Sequence, residues 1–246
     1  MASQRFGRGL AALIAALGLI FLGSSPATAA PGGYVAVGDS IAAGVGAGTV
    51  LDACGRTDAG YAALLGASPN LGCSGATTGD VLATQVPAVP RNATDVTVTV
   101  GANNVGVSSV YYACIPDPNT LACAAAVQKA LSAIAAVDRQ VAAVVDAVQA
   151  RAKKANVVVT GYPLLLAQDP YSTLDDVVNG ATLALNYEIY LGARASGAQY
   201  VDVVGAFLGH GIGSSDPWIN SAGEPAPYHP NAAGYQAYAA AIAPRL

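Results

Sequence analysis

The sequence is poor in charge and poorer still in histidine. Only 11% of its 246 residues are charged, whereas 53% are hydrophobic. A disordered chain combines low hydrophobicity with high net charge, so this composition excludes one. Eleven basic residues stand against fifteen acidic ones. That leaves no cationic field to hold phosphates and excludes nucleic acid as a partner. Two histidines, His210 and His229, are too few for the usual histidine metal site. The four cysteines lack the close C-x-x-C spacing of a zinc site, so no metal is expected. Long apolar runs are missing as well. The uncharged stretch from Gly9 to Gly23 falls short of the roughly 20 residues that a spanning helix needs.

That stretch reads as a secretory signal instead. Arg5 and Arg8 precede it, Ser24-Ser25-Pro26 breaks it, and Ala27-Thr28-Ala29 supplies a small-x-small cleavage pattern. The alternative is an uncleaved anchor. Arg5 and Arg8 are not adjacent, which gives a twin-arginine route little support. Residues 1–29 are therefore expected to be a signal peptide and residues 30–246 the mature chain: acidic, exported, without an integral membrane segment, and a monomer. Export implies an oxidising compartment, where Cys54, Cys73, Cys114 and Cys123 pair by default. Three pairings are possible, and spacing alone does not select one. Cys54–Cys73 with Cys114–Cys123 is favoured because each would clip a loop to itself, stabilising by roughly 3 kcal/mol.

Four valine-rich runs end in Gly or Pro, as buried parallel strands do. They are residues 34–37, 95–100, 156–160 and 199–204. Between them, Val127, Leu131, Ile134, Val137, Val141, Val144 and Val148 form one stripe, which predicts a helix from about Ala124 to Lys154. Further helices are expected over Asp175 to Ser196 and Asn231 to Ala243. Lys129, Asp138, Arg139 and Asp146 interrupt the long stripe, so it is a core helix rather than a span. Strand–helix alternation without linker or repeat predicts one three-layer α/β/α sandwich with a mainly parallel sheet. In such sheets ligands bind beyond the carboxyl ends of the strands, so chemistry is sought there.

Ser40 stands at the first such exit, in Gly38-Asp39-Ser40-Ile41. A nucleophilic serine needs exposure, a base and donors for the oxyanion. The bland reading of this serine is a helix cap. Gly75, in Cys73-Ser74-Gly75-Ala76-Thr77, has an unshielded N–H to offer; Asn103, in Gly101-Ala102-Asn103-Asn104, has a side-chain amide. Their bland readings are a turn glycine and a turn asparagine. His229, in Tyr228-His229-Pro230-Asn231, lies just before a helical pattern, with Pro230 suited to the first helical position. His210 lies in a Gly-His-Gly turn. The Gly-x-Ser-x-Gly elbow fails at Ala42, which disfavours an α/β-hydrolase. Gly44-Val45-Gly46-Ala47-Gly48 lacks dinucleotide-binding spacing.

These blocks, in this order, resemble the SGNH (GDSL-type) hydrolases over roughly Gly33 to Ala243. The resemblance implies a flavodoxin-like sandwich, Ser40 as nucleophile and His229 as general base. It implies an oxyanion hole from the N–H groups of Ser40 and Gly75 and the Asn103 amide, with no cofactor. The family pattern places Asp three residues before the histidine, where this chain has Ala226. A backbone carbonyl, that of Ala226, is expected to orient His229 instead, as in a secreted actinomycete lipase/esterase branch. Asp216 or Glu224 swinging in is the alternative. That branch also shares the local disulfides and the Gly-His-Gly…Asp-Pro-Trp stretch, here Gly209 to Trp218. Its third disulfide has no counterpart, with Gly213 near one expected position. Asn104 replaces an Asp that is read as structural support. The expected activity is hydrolysis of a small-molecule or lipid carboxylic ester, with Leu164-Leu165-Leu166 as an apolar pocket lip or, equally, core. Two alternatives are a polysaccharide or cell-wall deacetylase of the same mechanism and a secreted non-catalytic binding protein that kept the fold.

Overall fold

The computed structural model describes residues 33–169 and 172–246. The expected signal segment lies outside them. All four valine runs form strands: β1 (Tyr34–Gly38), β2 (Asp95–Thr99), β3 (Asn156–Thr160) and β4 (Gln199–Val201). They pair in parallel in the order β1-β2-β3-β4. Residues 68–73 run along the free edge of β1, with an isolated parallel bridge from Ala36 to Asn70. There the N–H groups of Ser68, Leu71 and Cys73 donate to the carbonyls of Tyr34, Ala36 and Gly38. This edge carries no valine pattern, so the sequence does not announce it. With it included, the chain steps from β1 to one side and returns to β2 on the other. The direction of winding therefore switches between β1 and β2, and a crevice opens beyond their carboxyl ends.

The helices are α1 (Ser40–Ala43), α2 (Tyr61–Leu64), α3 (Thr78–Asp80), α4 (Val107–Cys114), α5 (Leu121–Ile134), α6 (Val137–Arg151), α7 (Thr173–Ala195) and α8 (Ala232–Ile242). The single helix expected from Ala124 to Lys154 is two helices, α5 and α6, bent by 49° at Ala135-Ala136. The bend resets the stripe. Val137, Val141, Val144, Val145 and Val148 are buried, whereas Leu131 is left exposed. Pro230 is not the first residue of α8. It precedes the cap Asn231, whose side chain accepts the Gly234 N–H.

The two faces of the sheet differ because successive side chains on a strand alternate. Thr97 and Thr99 point toward α2 and α8, and Val96 and Val98 point the other way. On the threonine face the Tyr61 hydroxyl meets Thr99 (2.7 Å), Thr99 meets Thr160 (2.7 Å) and Thr160 meets Tyr238 (3.2 Å). Tyr61 stacks on Tyr238 with centroids 5.1 Å apart. Each of these four buried hydroxyls thus has a partner, which removes the cost of desolvating it unpaired. Two disulfides, Cys54–Cys73 and Cys114–Cys123, tie loops locally as expected. The first fixes the edge segment to the loop after α1, and the second fixes α4 to the start of α5.

Candidate active site

Ser40 is placed by the end of β1. At Gly38, φ is +142° and a Cβ would lie 2.0 Å from the Thr99 carbonyl oxygen, so only glycine lets the chain turn here. The Gln85 amide grips this residue twice, accepting from its N–H (2.7 Å) and donating to its carbonyl (2.8 Å). Asp39 then caps α1, its Oδ1 accepting the Ile41 N–H at 3.0 Å. The other carboxylate oxygen accepts the Tyr162 hydroxyl at 2.6 Å. Tyr162 in turn accepts the Ala102 N–H at 3.2 Å, so one phenol joins the Ser40 turn to the Asn103 turn. Burial pushes the Asp39 pKa up to about 7, opposed by the bonds from Tyr162 and Ile41. Burial and the neighbouring Asp39 charge hold the Tyr162 phenol well above its ordinary value.

His229 arrives on a loop. The Asn220 N–H donates to the His229 carbonyl, and the Tyr228 N–H donates to the Asn220 carbonyl. The Asn220 amide donates to the carbonyls of Gly46 and Pro225. Gly46 has φ +110°, and a Cβ there would sit 2.9 Å from that of His229. The glycine run after α1 thus admits the histidine loop.

His229 Nε2 lies 2.9 Å from Ser40 Oγ. Its Nδ1 bonds to the Pro227 carbonyl at 2.9 Å, and the carbonyl of Ala226, the expected partner, acts on the ring beside it. Ala226 and Tyr228 both adopt positive φ, +51° and +65°, and this winding turns the Pro227 carbonyl back onto the ring. Burial lowers the His229 pKa below 6.5, against the raising effect of the Pro227 and Ala226 carbonyls. Neither alternative carboxylate is near. Asp216 is bound to His210 and Trp218, and Glu224 to Ser221. His210 stacks on Trp218 at 3.5 Å, away from the cleft.

Asn103 lines the cleft and donates one amide hydrogen to the Ala76 carbonyl at 3.0 Å, which leaves the second free. Gly75 lies in the exposed turn beside Ala76. Asn104 accepts the Thr78 N–H and donates to the Thr78 hydroxyl and to Gln140 Oε1. An aspartate has no hydrogens for Gln140, so asparagine and glutamine suit each other here. The cleft encloses about 530 Å³, mouth included, and its wall also carries Tyr111, Tyr112 and Tyr228. Leu164 and Leu165 are core, and Leu166 borders a separate hollow with Phe207 and Leu208. The expected leucine lip is therefore not part of this cleft.

The sequence matches the GDSL-like Lipase/Acylhydrolase family over residues 36–237. The chain belongs to that family. It is 35% identical over 245 residues to a lipase of Streptomyces rimosus, across 91% of each chain. A crystal structure of an extracellular lipase from Streptomyces rimosus superposes with a TM-score of 0.79 at 34% identity. That match covers 87% of this chain and 99% of the other. Phospholipase A1 from Streptomyces albidoflavus NA297 superposes with a TM-score of 0.80 at 33% identity, covering 88% of this chain and 100% of that one.

This GDSL hydrolase is thus a carboxylic ester hydrolase with the α/β/α sandwich expected. Nothing in its sequence points to Gln85 or Tyr162, which bind Gly38 and Asp39 across 47 and 123 residues. The adjacent Tyr111-Tyr112 pair, shortly after the Asn103 turn, is the one visible hint of an aromatic cleft wall.

Proposed function

We propose that this chain is a secreted serine esterase or lipase in which Ser40 is the nucleophile and His229 the general base. The observation that carries the reading is the 2.9 Å contact of Ser40 Oγ with Nε2 of a histidine whose Nδ1 is already bound to a carbonyl. With Nδ1 donating to Pro227, the tautomer is fixed and Nε2 is left as acceptor. The lowered pKa keeps the ring neutral at pH 7, as a base must be.

Ser40 Oγ attacks the ester carbonyl while its proton passes to Nε2. Negative charge then gathers on the former carbonyl oxygen. The Ser40 N–H, in the first turn of α1 and so without an intrahelical acceptor, donates to it. The free Asn103 amide hydrogen and the Gly75 N–H complete the set. Protonated His229 gives its proton to the departing alcohol, and water, activated by the same ring, releases the acid from Ser40. The extracellular relative supports export of this chain.

The test is release of p-nitrophenol from acyl esters by the oxidised protein, with Ser40→Ala as control. Turnover that vanishes in the variant is expected. Turnover that survives overturns the assignment.

A further inference from the structure

The chain has two histidines, and the proposed mechanism uses only His229. His210 does not line the cleft, yet its ring is held on two sides. It lies flat on the Trp218 indole, with centroids 3.5 Å apart and planes at 9°. Nδ1 donates to the Asp216 carbonyl at 2.8 Å, with the Asp216 carboxylate 3.3 Å away. Trp218 Nε1 donates to that carboxylate at 3.2 Å. The indole also meets Phe207 edge-on at 5.9 Å, and Phe207 meets the buried Tyr238 at 6.0 Å. A run of rings thus leads from the His210 loop to the threonine face of the sheet.

Trp218 begins one side of the ribbon that carries His229. Ile219 and Pro230 form an antiparallel bridge. The Asn231 N–H donates to the Trp218 carbonyl, and the Asn220 N–H to the His229 carbonyl, both at 2.9 Å. A two-stranded ribbon this short is marginal in water by itself, so its position depends on what holds its ends. Near the turn, the Asn220 amide binds the Gly46 and Pro225 carbonyls. At the other end, Trp218 roots the ribbon against Phe207. A Cβ on Gly234 would lie 2.4 Å from the Trp218 carbonyl oxygen, so α8 packs directly on the same residue. The His210 ring stacks on that root.

We propose that His210 is a positioning residue for His229: stacked on Trp218, it fixes the root of the ribbon and so the place of His229 Nε2 against Ser40 Oγ. The inference rests on the assignment of Ser40 as nucleophile and His229 as base. The stack carries the effect, because it acts on the residue whose carbonyl pairs with Asn231, two positions after His229. The 2.9 Å contact of Nε2 with Oγ tolerates little displacement, since a shift of about 1 Å can cost up to about 10²-fold in rate.

The experiment measures kcat and KM for p-nitrophenyl butyrate at a temperature where each variant is folded by circular dichroism. The His210 side chain is 27% exposed, so changing it leaves the core intact. His210→Ala is expected to lower kcat by about tenfold and to leave KM unchanged, since the residue touches no substrate. His210→Gln still has a donor for the Asp216 carbonyl but no ring, and falls equally; it decides the matter should the alanine variant not fold. His210→Phe restores the stack and most of kcat. In a His229→Ala background, His210→Ala leaves the residual rate unchanged, because its effect runs through a ring no longer there. A contribution to folding alone would lower the melting temperature without moving kcat of the folded enzyme. An unchanged kcat in folded His210→Ala or His210→Gln therefore overturns the proposal. So does a loss that persists in the His229→Ala background or that His210→Phe does not recover. Turnover that survives Ser40→Ala instead defeats the assignment beneath it, and the two failures are distinct.

Discussion

The two walls of the cleft are built by different means. On the Ser40 wall, the end of a central strand is held from the interior: Gln85 grips Gly38 twice, and Tyr162 binds the buried Asp39 carboxylate. On the His229 wall, a loop carries two non-glycine residues at positive φ, and the ring is oriented by a neighbouring carbonyl. One side rests on contacts across the whole fold and includes an ionisable group. On the other, the partner that orients the ring is two residues away and uncharged, while Asn220 ties the loop to Gly46. A carbonyl fixes the tautomer as well as a carboxylate does, but it carries no full charge to stabilise the imidazolium. Positioning and charge stabilisation, which a carboxylate partner would supply together, are separated here.

Removing the reacting group proposed for either wall has the largest expected effect. Ser40→Ala or His229→Ala is expected to lower kcat by about 10⁴–10⁶-fold, read in single-turnover assays with p-nitrophenyl esters. If the pair acts as a unit, the double variant is no worse than either single one. Asn103→Ala removes a donor rather than a wall and is expected to cost about 10²–10³-fold in kcat. An Asn103→Ala enzyme of full turnover would take that residue out of the site.

The Ser40 wall can be probed through its charge. Asp39 titrates near 7 in the folded chain, against 3.8 for an ordinary aspartate. The folded state therefore binds the proton more tightly. The stability this confers is complete below pH 3.8 and is lost as pH rises to about 7. The gap between the two values corresponds to about 4 kcal/mol at most. Asp39→Asn abolishes this titration, so the stability of the unaltered protein relative to the variant should fall between about pH 4 and about pH 8 in denaturant melts. A difference independent of pH would mean that Asp39 is ionised throughout. Tyr162→Phe strands the Asp39 carboxylate and the Ala102 N–H together. It is expected to cost roughly 3 kcal/mol of stability and up to about 10²-fold in kcat, since both turns lose their common tie.

The same contrast explains what could be read from the sequence. Strand runs such as Asp95 to Val100 are local patterns, and their glycine-bounded ends point directly to Ser40 and Asn103. The break at Ala135-Ala136 is not visible, because alanines continue a helix as readily as they tolerate a bend there. Gln85 and Tyr162 are invisible because their partners are remote in the chain. Leu164-Leu165-Leu166 leaves lip and core equally open because an apolar run after a strand serves either, and Leu164 and Leu165 prove to be core. On the His229 wall, the resemblance to the family pattern marks Ala226 as the place of the missing carboxylate, but which carbonyl replaces it depends on backbone dihedrals that no spacing encodes.

The subtlest test gives the His229 wall the charge it lacks. Ala226 already sits at φ +51°, a conformation that aspartate tolerates better than alanine. Ala226→Asp therefore puts little new strain on the loop. A carboxylate that reaches Nδ1 must displace the Pro227 carbonyl and would favour the protonated ring, raising its pKa. The acid limb of kcat/KM, expected below 6.5 in the unaltered enzyme because burial lowers the His229 pKa, would then move to higher pH. Should the limb stay in place while Nδ1 remains on Pro227, the loop has committed to its carbonyl. The local, neutral construction of this wall would then be a property of its backbone rather than of the residue at position 226.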